Sequence, residues 1–146
     1  MESPGRRAAR EMTRDEITAF LDRHHWGVLS TSLNDQPYGV PVVYGWDGES
    51  VFFASAPGKK TDMLRLNPRV SFTIPDVRDS SKGWTSVIVT GRIEWVEGMA
   101  EKLSAFNTLR KQVPGAVPRL SDAARLARAT VARIVVEELT GRTVGE

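Results

Sequence analysis

The sequence predicts a mainly β domain, a six-stranded antiparallel β-barrel with peripheral α-helices. Three observations lead there. Apolar and polar residues alternate over successive short runs, clusters of Gly, Pro, Asn and Asp separate those runs, and 146 residues suffice to bury a single core. Closing such a sheet removes the edges it would otherwise expose.

Residues 1–12, MESPGRRAAREM, hold Pro4, Gly5 and three arginines without hydrophobic periodicity, so they are expected to form a flexible arm ahead of one domain over 13–146. Thr13-Arg-Asp-Glu16 has the spacing of a capping box, and Ile17, Phe20 and Leu21 then mark one apolar face of a helix ending near His24. From Trp26 the period becomes two. WGVLSTSL runs into the turn formers Asn34-Asp-Gln-Pro37 and on to YGVPVVYGW, which predicts a hairpin. A second turn at Asp47-Gly48 leads to SVFFASA at 50–56, and three sequential strands on short connections predict a meander.

Met63, Leu64 and Leu66 give residues 58–67 near-helical spacing, stopped by Pro68. VSFTI at 70–74 is the fourth strand and WTSVIVTGRIEWV at 84–96 the fifth, with the polar stretch 75–83 between them and Gly91 where a bulge or barrel corner belongs. Met99, Leu103, Phe106 and Leu109 line a helix to about Val113. Pro114, Gly115 and Pro118 break the chain before a shorter helical stretch from Ser121, and these helices are expected over a barrel mouth. TVARIVVEELTG at 130–141, rich in β-branched residues, completes the six strands.

Composition narrows the chemistry. With no cysteine there are no disulfides, thiolate metal sites or thiol nucleophiles. The net charge of +2 is spread along the chain, which gives no support to nucleic-acid binding. No apolar run approaches the roughly 20 residues that span a bilayer, so no membrane role is expected, and the N-terminus lacks the apolar part of a secretory signal, so the expected location is cytoplasmic. His24 and His25, the only histidines, sit together at a helix end. Glu137 and Glu138 fall on opposite faces of a strand. Neither a metal site nor a paired-carboxylate or Ser-His-Asp centre is expected, and no catalytic side chain is identified.

The stretch 50–61, SVFFASAPGKKT, carries the most chemistry. A strand runs through a Gly-containing turn into two lysines and the first turn of a helix. Free amides at a helix N-terminus favour anions, Gly58 admits a close backbone approach, and Lys59 and Lys60 supply charge-assisted hydrogen bonds to phosphate, with Ser55 as a further donor. The plainer reading of the same residues is a solvated helix start. Pro41 cannot donate to a ladder and marks either a strand edge or a place where a planar ligand replaces a neighbouring strand. Trp84, with the hydroxyls and amides after it, could flank an aromatic ring system or simply pack in the core.

In this order the motifs WGVLSTS (26–32), QPYGVPVVY (36–44), VFFASAPGKKTDMLRLNPRVSFTI (51–74) and SVIVTGRIEWVE (86–97) resemble the pyridoxamine 5′-phosphate oxidase-like FMN-binding split barrels. Within that family the nitroimidazole-reductase-like flavoproteins are nearest, sharing a final strand similar to ARIVVEELTGR at 132–142. The resemblance implies a split β-barrel that forms a homodimer with FMN at the subunit interface. It implies that Lys59 and Lys60 bind the FMN phosphate, assisted by Ser55 and the backbone at Gly58. By the same resemblance Val40, Pro41 and Val42 run along the isoalloxazine offering backbone hydrogen bonds, Phe53 and Ala54 lie under the ribityl chain, and Ser86 and Val87 reach the flavin from the partner subunit.

The chain also departs from the family. The oxidase proper has an arginine for the phosphate where Val40 stands, and a C-terminal tryptophan and arginine for its substrate, so pyridoxamine phosphate oxidation is not expected. The nitroimidazole group commonly has histidine where Ala54 stands. The expected function is FMN-dependent hydride or electron transfer to a small organic substrate. The alternatives are a reductase using the deazaflavin coenzyme F420 on the same fold, and a flavin- or haem-binding protein without turnover.

Overall fold

The computed structural model describes residues 8–79, 82–115 and 127–145. Its elements in chain order are β1 (Arg10–Glu11), α1 (Arg14–Arg23), β2 (Trp26–Leu33), β3 (Gln36–Val43), β4 (Gly45–Trp46), β5 (Ser50–Ser55), α2 (Lys59–Leu66), β6 (Arg69–Val77), β7 (Gly83–Val96), α3 (Met99–Gln112) and β8 (Thr130–Gly145). The six expected strands are all present. Two further strands of two residues each, β1 and β4, make eight among the described residues. The helical stretch expected from Ser121 begins outside the described residues, of which 127 and 128 are helical.

One antiparallel sheet runs β3-β2-β6-β7-β8-β5-β4, with β1 added on β8. Its concave face encloses the core: Leu29, Val70, Phe72, Ile74, Val87, Val89, Ile93, Ile134, Val51 and Phe53 are buried there, and α1 inserts Ile17, Phe20 and Leu21 into the same cluster. The alternation read from the sequence is thus the alternation between barrel interior and outer face. At Gly91 the β7–β8 register shifts by one residue, and a Cβ there would overlap the Val135 carbonyl. The glycine lets β7 bend sharply enough to curl the sheet.

Three expectations are corrected. Arg10 and Glu11, placed in the arm, pair with Thr143 and Arg142. The reason is local: Arg10 grips Glu16 at 2.7 Å, Glu16 also caps the Thr13 amide at 3.0 Å, and the Met12 amide donates to Gly141. Arg10 first, and then the Thr13 amide, hold the Glu16 carboxyl down to about 2.

The meander extends only through its first hairpin. After β3 the chain crosses to the far end of the sheet, where β4 and β5 pair with each other and β5 pairs with β8. Tyr44, fully buried at the crossing, donates its hydroxyl to the Leu21 carbonyl at 2.7 Å, and the next residue, Gly45, lies so close to the α3 backbone at Leu109 that a Cβ would collide. Helix α3 does not cover a mouth. It packs Ala105, Phe106 and Leu109 against Phe52, Val96 and Val131 on the outside of the wall.

Gln112, the last residue of α3, joins these parts. Its amide donates to the carbonyls of Leu21 and His24 at 2.6 and 2.8 Å, and its oxygen accepts the Trp46 amide at 3.2 Å. Carbonyls at the end of α1 are thereby met from outside the helix, Leu21 by both Tyr44 and Gln112 and His24 by Gln112, 88 residues away. Gln112→Ala is expected to cost about 1–3 kcal/mol, the penalty for groups left unpaired. Urea unfolding reads this as a lower midpoint at unchanged slope.

Candidate functional site

The two ends of the curved sheet leave free backbone. Among the described residues β3 pairs only with β2, and β4 covers β5 only at Val51 and Phe52, so the β5 edge from Phe53 to Ser55 has no described strand beside it. Helix α2 begins four residues beyond β5 and ties one edge to the other, with the Lys59 ammonium 4.9 Å from the ring centre of Tyr38 on β3.

At that junction the structure gathers Lys59, Lys60, Gly58 and Ser55. Lys59 is exposed. Lys60 is half-buried with its ammonium 5.8 Å from the Phe53 ring centre, and burial lowers its pKa from the usual lysine value. No side chain caps α2 at Gly58, and a Cβ there would enter open space. The first turn of α2 thus carries free amides and two lysines next to Gly58, where none of the described residues lies within 4 Å of a Cβ position, an arrangement suited to a phosphate.

Ser55 is buried and has internal partners. Its hydroxyl lies 2.7 Å from that of Thr61 and 3.3 Å from the Ala56 carbonyl, which Thr61 also reaches at 2.9 Å. The pair shapes the turn that presents Gly58, so Ser55 acts through the loop. Thr61 and Tyr38, not singled out from the sequence, belong to this corner. Thr61 could have been found as a hydroxyl one helical turn past the β5 end, whereas nothing local marks Tyr38.

Along β3 the register sharpens the expectation for Val40, Pro41 and Val42. The Tyr44 amide donates to His25 at 3.1 Å, which sets the phase of the β2–β3 ladder. Val40 and Val42 turn their amides and carbonyls to β2 and their side chains inward against the core. The groups on the open edge are those of Gly39, Pro41 and Val43, and Pro41 offers only a carbonyl there. The backbone groups of Val40 and Val42 are thus paired within the sheet, and those on the open edge belong to their odd-numbered neighbours.

Two further residues are relocated. Phe53 and Val87 are fully buried with side chains in the barrel core, because both fall on inward positions of their strands, and neither side chain is available to a ligand. Ala54 is exposed on β5. Trp84 and Ser86 stand on the outer face of β7, part of an apolar surface with Trp26, Val43 and Ile88, in which Trp26 opposes Val43 across β2–β3 and Ile88 opposes Thr73 across β6–β7.

Other candidates resolve into structure. His24 stacks on Phe20, with Nδ1 2.7 Å from the Phe20 carbonyl and Nε2 3.0 Å from Asp76, so it ties α1 to β6. Among the described residues no three metal-ligating side chains come together, and no helix is long and apolar enough to cross a membrane.

Comparison with known proteins agrees with this architecture. The family model described as pyridoxamine 5′-phosphate oxidase matches residues 13–143. An uncharacterized protein of Rhizobium meliloti is 32% identical over 142 residues, covering 91% of this chain and 93% of the relative. Among solved structures, a FAD-binding protein from Mesorhizobium loti superposes with a TM-score of 0.76 at 30% identity, covering 94% of this chain and 99% of that one. A candidate 5-nitroimidazole antibiotic resistance protein from Bacteroides thetaiotaomicron shares the fold, with a TM-score of 0.78 at 21% identity over 93% of this chain and 87% of its own.

Proposed function

Because the chain belongs to the pyridoxamine 5′-phosphate oxidase family, we propose that it is a flavoprotein, binding FMN as a homodimer and using it to transfer hydride or electrons to a small organic substrate. The observation that carries this reading is the basic corner at the start of α2. Lys59, Lys60 and the first-turn amides meet there beside two open strand edges, one for a phosphate and the other for a planar ring. The flavin would supply the redox chemistry. The protein would hold its phosphate at Lys59 and Lys60, offer the open edge of β3 to the ring, and keep water from it.

The outer face supports the dimer. Trp26, Val43, Trp84 and Ile88 are large, apolar and between 37% and 49% exposed on one continuous sheet surface, and contiguous apolar area of this kind marks an interface. A two-fold contact there would bring Trp84 and Ser86 of the partner subunit towards the ring.

The first test is the absorption spectrum of the protein as purified. Bands near about 370 and 450 nm support a bound flavin, and a single band near about 420 nm would replace it with F420 or haem. The Mesorhizobium relative is a FAD-binding protein, so chromatography of the released cofactor distinguishes FMN from FAD. Steady oxidation of NADH or NADPH separates an enzyme from a flavin store. For the dimer, Ile88→Glu is expected to yield monomers by light scattering that lose flavin during gel filtration. A variant that stays dimeric and yellow would move the interface to another face.

A further inference from the structure

On the outer face, beside Ser86, lies a cleft of about 320 Å³ between β1, β7 and β8. Ile88 and Leu139 give it apolar lining, Ser86 and Thr140 give it hydroxyls, and Glu11 and Arg142 give it charge. Its volume is that of a small-molecule pocket. Arg142 is unusual among the strand arginines. Arg69 is held by Glu137, and Arg92 and Arg133 are both held by Glu94, whereas Arg142 has no hydrogen-bond or ion-pair partner among the described residues. Glu11 opposes it in register across β1–β8 without closing an ion pair. Ser86 opposes it on the other side, across β7–β8, so hydroxyl and guanidinium stand on one row of the sheet.

From this we infer that the cleft is the substrate pocket and takes a small organic anion, a carboxylate above all, held by Arg142 with Ser86 or Thr140 donating and the apolar lining facing the substrate body. The inference rests on the flavin reading, which brings the ring of one subunit to Ser86 of the other. An unpaired guanidinium can accept a carboxylate without breaking an existing bond, and its planar fork fits both oxygens. Glu11 tunes the same site in the opposite sense, since a carboxylate one strand away repels the incoming anion.

The test uses the flavin-loaded protein with benzoate as probe and benzamide as its neutral counterpart, read by perturbation of the flavin spectrum and by titration calorimetry. Benzoate is expected to bind saturably. Arg142→Gln should weaken it by about tenfold or more, Glu11→Gln should tighten it, and benzamide should respond to neither change. Flavin content and circular dichroism of the variants verify that the fold and cofactor are intact. If a fully yellow Arg142→Gln protein binds benzoate as the parent does, or the parent does not bind it, the anion pocket is wrong and the flavin reading stands. A chain that takes up no flavin overturns both.

Discussion

Replacing Lys60 by alanine is expected to weaken flavin binding about 10- to 150-fold, the range for a hydrogen bond to a charged group in a sheltered site. Lys60 is singled out over Lys59 by burial. Lys59 is exposed over Tyr38, where water screens its charge, but the Lys60 ammonium is half-sunk over Phe53, where an anion gains more from it. The same burial has a cost in the flavin-free chain. With the folded pKa below the unfolded value, the native state holds fewer protons between the two values, so stability rises with pH across that window. Lys60→Met should therefore raise the melting temperature of the apoprotein at neutral pH while lowering its affinity for flavin. Fluorescence titration with FMN and a thermal melt of the apoprotein measure the two. Unchanged affinity in Lys60→Ala would place the phosphate elsewhere.

Tyr44→Ala is expected to destabilise the chain by about 3–5 kcal/mol, the usual loss when a large buried aromatic side chain is truncated. Tyr44 is fully buried at the one residue between β3 and β4, with its ring edge-on to Phe72 at 5.4 Å and its hydroxyl on the Leu21 carbonyl. It thereby pins the chain where it leaves one end of the sheet for the other. Tyr44→Phe should cost only about 1 kcal/mol, because Leu21 keeps its bond from Gln112 and the ring still fills its place. Denaturant unfolding of both variants gives the comparison. A Phe variant as damaged as the Ala variant would mean that the hydroxyl, rather than the ring, holds the crossing.

Much of the fold was legible along the chain because its signals are local. The capping box at Thr13 and Glu16, the stop at Pro68, the turns at Asn34-Asp35 and Asp47-Gly48, and the bulge at Gly91 each follow from a few neighbouring residues, and each lies where it was expected. Strand alternation identified the interior just as directly, and applied strictly it would have withdrawn Phe53 and Val87 from the site, since both share a face with core residues. What misled was pairing. Short loops predicted that neighbouring strands pair, yet β5 pairs with β8, about 80 residues on, because Tyr44 and Gly45 pack against α1 and α3.

The sequence by itself did not determine the two-residue strands β1 and β4, but it determined the six long strands and the helices α1 to α3 in their order, the alternation of faces along those strands, and the cluster of glycine and lysines that opens α2. Those depend on periodicity and on the conformational limits of single residues. Only the tertiary structure decided that Val40 and Val42 pair their backbone with β2, that Lys59 meets Tyr38, and, among the described residues, which strand edges stay open and that Arg142 stands without a side-chain partner beside Ser86. The physical reason is that hydrogen-bond pairing and charge pairing form between residues distant in sequence. No local pattern encodes which of several possible partners arrives first in space.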